Sequence, residues 1–457
     1  MPRVVIVSNR VPAPGRGKLS AGGLAVVLAD ALQPGSLWFG WSGQRAAQPA
    51  PEATVHEVDG VTYATFDLRE ADFRPFYAGF GNSALWPVLS FRLGLIRFRH
   101  EDYEGYRAVN RAYAQALKPL LRPDDAIWIH DYLLIPLAHE LRALGVTNRI
   151  GIFFHTPFPP SAVFSVLPRA AELLDALCAC DVIGLQTDND QRAFLDCAVQ
   201  MLGAAPHASG AFVHRDRSVR AIAVPAGIDA DGFIRMAQRA ARSAETRRLG
   251  DSLSGRALAI GAERLDYSKG LPTRVEAFAT LLSKYPLHRR AVSFLQVAAP
   301  SREDVSDYRQ LRRELDRMVG ETNGRYGEPD WTPLRYITRS LSRQTLSGFY
   351  RVARIGLVTP WRDGMNLVAK EYVAAQQPSD PGVLVLSRFA GAAADLTEAL
   401  IVNPLDAEEI ADAMHRALVM PLAERQERHA ALLARVRQDT AARYCQRFLN
   451  ELVPSSA

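Results

Sequence analysis

Short apolar runs alternate with longer amphipathic stretches along almost the whole chain. In the first half, Val4 to Ser8, Ala126 to His130, Arg149 to Phe154, Val182 to Gln186 and Val219 to Val224 read as strands. In the second half, Ala257 to Ala262, Val292 to Val297, Arg335 to Thr338, Ile355 to Thr359 and Val383 to Ser387 repeat the theme. Runs that are apolar on both faces suit parallel sheets covered by helices. Helical patterning fills the intervals: Gly23 to Leu32, Leu134 to Leu144, Gln191 to Leu202, Thr273 to Lys284, Asp304 to Val319 and Asn366 to Gln377, with Leu422 to Leu452 as one long last helix. Ten or more strands predict an α/β protein with two Rossmann-like parallel-sheet domains facing a cleft. The polar, Arg/Ala-rich stretch from Pro225 to Ser254 marks the boundary, taken as 1–235 and 236–457, with the last helix packing back on the N-terminal domain.

Composition narrows the function classes. The chain has 457 residues, 48% of them hydrophobic and 23% charged, as a globular protein of two domains should. A net charge of +5, with Arg spread among Glu and Asp and no basic block, gives no support for nucleic-acid binding. No run of about twenty apolar residues predicts a membrane span, and the apolar run after Met1-Pro2-Arg3 is too short for a secretion signal. The cysteines Cys178, Cys180, Cys197 and Cys445 lack metal-ligand spacing and read as buried thiols in a reducing compartment, so a cytoplasmic location is expected.

In open α/β sheets, chemistry sits on the loops that follow strands. The run Thr359-Pro360-Trp361-Arg362-Asp363-Gly364 is such a place, passing from a strand into a helix. Asp363, Leu367 and Glu371 are spaced i, i+4, i+8, so a helix beginning here puts them on one face. Their span of about 12 Å matches the reach from a sugar ring across a diphosphate to a ribose. The competing reading is a capping Asp and an exposed Glu. Arg10 ends the first strand, where a guanidinium can fork onto a phosphate. Gly22 and Gly23 open the next helix, as an anion site or as a plain turn. Asp131 ends another strand, to hold a sugar hydroxyl or to cap a helix. His155 is held after the next strand by the prolines that follow it. Arg264 and Lys269 flank a loop and could neutralise a diphosphate without a metal ion, or pair with Asp266 at the surface. Arg302 is a further phosphate anchor. Neither dinucleotide nor P-loop fingerprints occur, which disfavours a nucleotide-dependent oxidoreductase. Asp188-Asn189-Asp190 has the look of a D-x-D metal motif, but Thr187 and Asp190 make a capping box, the preferred reading.

Together these segments closely resemble the trehalose-6-phosphate synthase family of retaining GT-B glycosyltransferases. The resemblance runs from Ser8-Asn9-Arg10 to Gly391 through Leu37 to Gly43, Ala84-Leu85-Trp86-Pro87, Glu263 to Gly270 and Thr359 to Tyr372. It implies transfer of glucose from UDP-glucose to glucose 6-phosphate, with no cofactor and no metal. Residues 1–235 would then bind the acceptor and 236–457 the nucleotide sugar. By resemblance, Arg10, Tyr77, Trp86, Asp131 and Arg302 form the glucose 6-phosphate pocket, with Arg10, Tyr77 and Arg302 toward its phosphate. Gly22, Gly23, His155, Arg264, Lys269, Leu341, Asp363, Gly364, Met365, Asn366, Leu367, Val368 and Glu371 hold the donor. Asp131, His155, Arg264, Lys269 and Asp363 carry the catalysis, and Trp86 and His155 shape the sugars and the choice of anomer. A homo-oligomer is expected. The family reads His-Asp-Tyr-His-Leu where this chain has His130-Asp131-Tyr132-Leu133-Leu134, so a polar contact is lost at Leu133. Another phosphorylated acceptor, an ADP or GDP donor, or a non-catalytic sugar-phosphate-binding homologue stand as alternatives.

Overall fold

The computed structural model describes residues 2–11, 28, 32–48, 52–302 and 305–453. The chain divides into two compact units. The first runs to Pro225 and takes back the segment from Arg443; the second is Ala226–Ala442. The crossing thus falls ten residues before the boundary taken from composition, because the Arg/Ala-rich stretch is not a linker: it forms the helices Ala230–Ala240 and Ala244–Leu253 of the second unit.

Among the described residues the first unit is built on nine strands: β1 (Val4–Arg10), β2 (Leu37–Ala46), β3 (Thr54–Val58), β4 (Val61–Arg69), β5 (Ala126–His130), β6 (Arg149–Phe153), β7 (Val182–Leu185), β8 (Ala211–His214) and β9 (Arg217–Ala223). Their order is β3-β4-β2-β1-β5-β6-β7-β9-β8. The interior pairs are parallel, while β3 and β8 run antiparallel at the two edges. The order reverses between β1 and β5, so the crevice beyond their carboxyl ends is where a ligand is expected. Arg10 ends β1 and Asp131 follows β5.

The segment Leu422 to Leu452 is not one helix. It breaks at Asp439, giving helices Leu422–Gln438 and Ala441–Leu452. The break lies against Gly227, where an added Cβ would sit 1.8 Å from the Asp439 carbonyl oxygen. The final helix then packs on the first unit's sheet. Phe448 stacks on Trp128 with centroids 4.7 Å apart and meets Phe153 edge-on at 5.7 Å. Gly184 makes room for it: a Cβ there would lie 2.4 Å from Phe153 and 2.6 Å from Phe448.

Among its described residues the second unit has six parallel strands: β10 (Ala257–Arg264), β11 (Val292–Ala299), β12 (Leu334–Ile337), β13 (Ile355–Val358), β14 (Val383–Ser387) and β15 (Leu400–Val402). Their order is β12-β11-β10-β13-β14-β15, which reverses between β10 and β13. Every residue of β13 and β14 is buried, as the unbroken apolar runs require. The helix placed at Asp304 to Val319 is longer, Ser306–Tyr326.

Candidate functional site

Around Asp131 the first unit gathers most of the residues predicted for it. Asp131 is no helix cap. Its φ of 74° and ψ of 170° put it in a region that costs a non-glycine residue about 1–3 kcal/mol. Its Oδ1 accepts the His155 amide at 3.3 Å, and its own amide donates to the Phe153 carbonyl at 2.8 Å. His155 Nε2 lies 3.1 Å from His130 Nδ1, so one ring donates to the other. Burial pushes the His155 imidazole down to about 3 and holds His130, which also faces His155, well below its ordinary value. Both rings are therefore neutral near pH 7.

Tyr77 lies on an unusual element. Arg74–Leu85 is π-helical, and Trp86 opens the short helix that follows. Arg10 and Tyr77 are joined through aromatic rings: the Arg10 guanidinium is 5.8 Å from the Trp41 ring centroid, Trp41 is 5.1 Å from Phe73, and Phe73 stacks on Tyr77 at 5.4 Å. Among the described residues no carboxylate is paired with Arg10. Trp86 stacks on Tyr132, the neighbour of Asp131, at 5.7 Å. Leu133, where the family has histidine, is buried and faces Gly81 of the π-helix, whose Cβ would come within 2.6 Å of it.

In the second unit the cations form a cluster around one buried carboxylate. Burial raises the Asp266 carboxyl, but Arg302, Arg264 and Lys269, with the Ser268 amide, more than offset this and hold it below its ordinary value. Asp266 is thus not the surface partner envisaged from sequence. It is fully buried, and it accepts Arg302 Nη1 at 2.7 Å and the Tyr308 hydroxyl at 3.2 Å. Arg302 belongs to this unit, whereas Arg10, Tyr77, Trp86 and Asp131 belong to the first. Arg264 is exposed at the end of β10, and Lys269 ends a buried turn. Lys269 pairs with Asp363.

Below this turn, Arg274 grips four segments at once. It makes a bidentate pair with Glu263 at 2.6 and 2.8 Å, and donates to Thr359 Oγ1 at 3.0 Å, Gln296 Oε1 at 3.1 Å and the Lys269 carbonyl at 3.3 Å.

The helix after β13 corrects the spacing argument. It spans Leu367–Ala375, with Asn366 at φ 69° before it, so Asp363 lies outside the helix and shares no face with Leu367 and Glu371. The 12 Å helical ruler from Asp363 to Glu371 therefore does not apply. Nor is Asp363 the helix cap: its Oδ1 accepts the Gly364 amide at 3.0 Å and its Oδ2 accepts Asn366 Nδ2 at 2.9 Å. The Gly364 amide is thereby occupied. Among the described residues the amides of Met365, Asn366, Leu367 and Val368 meet no acceptor, so a helix start with a positive field is left open. Gly391 backs this loop, with a Cβ position 1.8 Å from the Gly364 oxygen. Glu371 is buried and accepts Arg343 Nε at 2.9 Å; burial raises its carboxyl, and Arg343 offsets only part of that. Leu341 is buried in the same core as Met365.

Gly22 and Gly23 lie outside the described residues. Sequence reasoning missed Arg274, Arg343 and Tyr308: Arg343 meets Glu371, Tyr308 meets Asp266, and Arg274 meets Gln296 and Thr359 across 22 or more positions, which leaves no local signal for these contacts. The capping reading of Asp190 stands in the structure: Thr187 Oγ1 accepts its amide at 3.1 Å. Among the described residues no group of three or more His, Cys, Asp or Glu side chains is placed to hold a metal ion.

Each unit thus carries a largely parallel sheet with ionic side chains on the loops beyond the point where its strand order reverses. The chain belongs to glycosyltransferase family 20, whose model matches residues 3–453. It is 47% identical over 453 residues to a trehalose-6-phosphate synthase of Cronobacter sakazakii, covering 99% of this chain and 95% of the relative. A crystal structure of the UDP-forming α,α-trehalose-phosphate synthase of Burkholderia xenovorans, in complex with glucose-6-phosphate, matches with a TM-score of 0.95 at 47% identity, over 99% of this chain and 100% of that one. A structure from Escherichia coli bound with UDP-2-fluoro glucose matches with a TM-score of 0.93 at 43% identity, over 99% of each chain.

Proposed function

We propose that this chain transfers glucose from UDP-glucose to glucose 6-phosphate, giving α,α-trehalose 6-phosphate and UDP. The observation that carries the donor half is the pair of cations at the β10/β13 reversal, Arg264 and Lys269 beside the buried Asp266, next to an open helix start. Such a pair suits a diphosphate, and it stabilises charge as that group departs. The relatives with glucose-6-phosphate and with a UDP-glucose analogue support the two substrates.

On this reading the donor C1–phosphate oxygen bond breaks through an oxocarbenium-like state. The acceptor hydroxyl oxygen forms the new bond on the same face, and its proton passes to the departing phosphate oxygen. Arg264 and Lys269 take up the negative charge growing there. Asp363, held by Lys269, orients donor glucose hydroxyls, the amides of residues 365–368 contact sugar and phosphate, and Glu371 grips the ribose. Gly22 and Gly23 are assigned to the diphosphate. Arg10 and Tyr77 meet the acceptor phosphate, while Trp86, Asp131 and neutral His155 shape the sugars. Arg302 is assigned to the acceptor phosphate as well, though Asp266 already takes part of its charge. The reaction needs no metal or other cofactor. The enzyme works in the cytoplasm as a homo-oligomer.

Release of UDP from UDP-glucose, measured with glucose 6-phosphate against polyol and cyclitol phosphates and repeated with ADP- and GDP-glucose, tests the assignment. Selective turnover with the first pair is expected. Equal rates with all acceptors, or none with any, would reject it.

A further inference from the structure

Asn82 is 1% exposed and lies in the middle of the π-helix that carries Tyr77. Its two polar atoms are divided between two segments. Nδ2 donates to the Tyr77 carbonyl at 2.7 Å, and Oδ1 accepts the Tyr132 hydroxyl at 2.9 Å. Ser83 reaches back five residues in the same way, donating to the Ala78 carbonyl at 2.6 Å. The π-helix is thus stitched by side chains at the turn that holds Tyr77.

Tyr132 is fixed from three sides. Its hydroxyl goes to Asn82, its carbonyl accepts the Tyr106 hydroxyl at 2.6 Å, and its ring stacks on Trp86. It directly follows Asp131, whose positive φ persists only where the surroundings over-determine it. A buried amide donates and accepts at once. A leucine here would do neither, and a carboxylate could not donate to Tyr77.

We propose that Asn82 is a positioning residue of the acceptor end. Through one donated and one accepted hydrogen bond it fixes Tyr77 and Tyr132, and through Tyr132 the Asp131 carboxylate. The inference rests on the assignment of Tyr77, Trp86 and Asp131 to glucose 6-phosphate made above.

Steady-state kinetics on the full chain test it, with Asn82→Leu and Tyr132→Phe compared with the parent. Losing both bonds should raise the KM for glucose 6-phosphate about tenfold, the equivalent of about 1.4 kcal/mol. Tyr132→Phe keeps the stacked ring and loses one hydrogen bond, so a rise of about three- to fivefold is expected. The KM for UDP-glucose should stay within about twofold in both, and the double variant should be no worse than Asn82→Leu, because the Tyr132 bond is lost only once. If Asn82→Leu fails to fold, Tyr132→Phe alone decides. Equal rises in both KM values, or no rise for glucose 6-phosphate, would overturn the positioning role while the parent's activity stands. A parent with no glucose 6-phosphate-dependent UDP release would overturn the underlying assignment, and this role with it.

Discussion

Replacing Arg274 by methionine tests whether one buried ion pair holds the donor-side loops. The Arg274 side chain is 0% exposed and that of Glu263 is 2%, so the substitution strands a carboxylate with no access to water. Breaking such a pair from one side costs about 3–5 kcal/mol. The Thr359, Gln296 and Lys269 acceptors lose a donor as well, at about 1 kcal/mol each when left unmade. Together these come to about 6–8 kcal/mol, and for a unit of this size about 1 kcal/mol shifts the midpoint by about 2–4 °C, so Arg274→Met should lower the second unit's calorimetric transition by roughly 12–32 °C. Adding Glu263→Leu removes the stranded charge. The pair of changes should then recover about 2 kcal/mol or more, a coupling that a double-mutant cycle in guanidinium measures. A single variant losing under about 1 kcal/mol, or two changes that merely add, would refute the reasoning.

Three further outcomes are expected. Arg264→Ala should lower turnover by orders of magnitude at an unchanged melting temperature, since its side chain is exposed and outside the core; near-normal turnover rejects the charge-stabilising role. Phe448→Ala should destabilise the first unit by about 3–5 kcal/mol in guanidinium unfolding, because it empties the space between Trp128, Phe153 and Gly184; a loss below about 1 kcal/mol would mean the last helix contributes little. The third concerns pH. His155 titrates at about 3 in the folded chain and near 6.5 when unfolded, so between those values the unfolded chain binds more protons. The His155 contribution is complete above about pH 6.5 and drains away as pH falls toward about 3. Melting temperature against pH should fall less steeply on the acid side in His155→Gln than in the parent; parallel curves would contradict it.

Most of the parallel strands were legible because burial on both faces leaves an unbroken apolar run; β2, β4 and β15 were not read as strands, and β4 alternates buried with half-buried positions. β5 and β14 begin and end where the pattern places them. The antiparallel edges were not, since β3 is almost wholly exposed and shows no such run. Its turn did carry a signal: Asp59 and Gly60 both have positive φ, as a tight hairpin needs, and Asp-Gly is a pair that favours it. The hairpin between β8 and β9 turns on Arg215 and Asp216, both at positive φ without a glycine, so its signal was weaker. At the site, single residues after strands could be found because the switch-point rule needs only strand ends. Their partners could not. Glu371 meets Arg343 across 28 positions and Asp266 meets Arg302 across 36. The π-helical segment has no simple periodicity to read, and the break at Asp439 lies against Gly227, far away in sequence.

The helix carrying Phe448 gives the first unit an order of assembly. During synthesis, β1 to β9 leave the ribosome long before residues 443–453 exist. Until then the surface over Trp128 and Gly184 stays uncovered, while the whole of Ala226–Ala442 emerges and is free to fold as an insert. The unit begun first is finished last, and a nascent chain halted before residue 443 holds an incomplete hydrophobic layer that a holding chaperone would recognise.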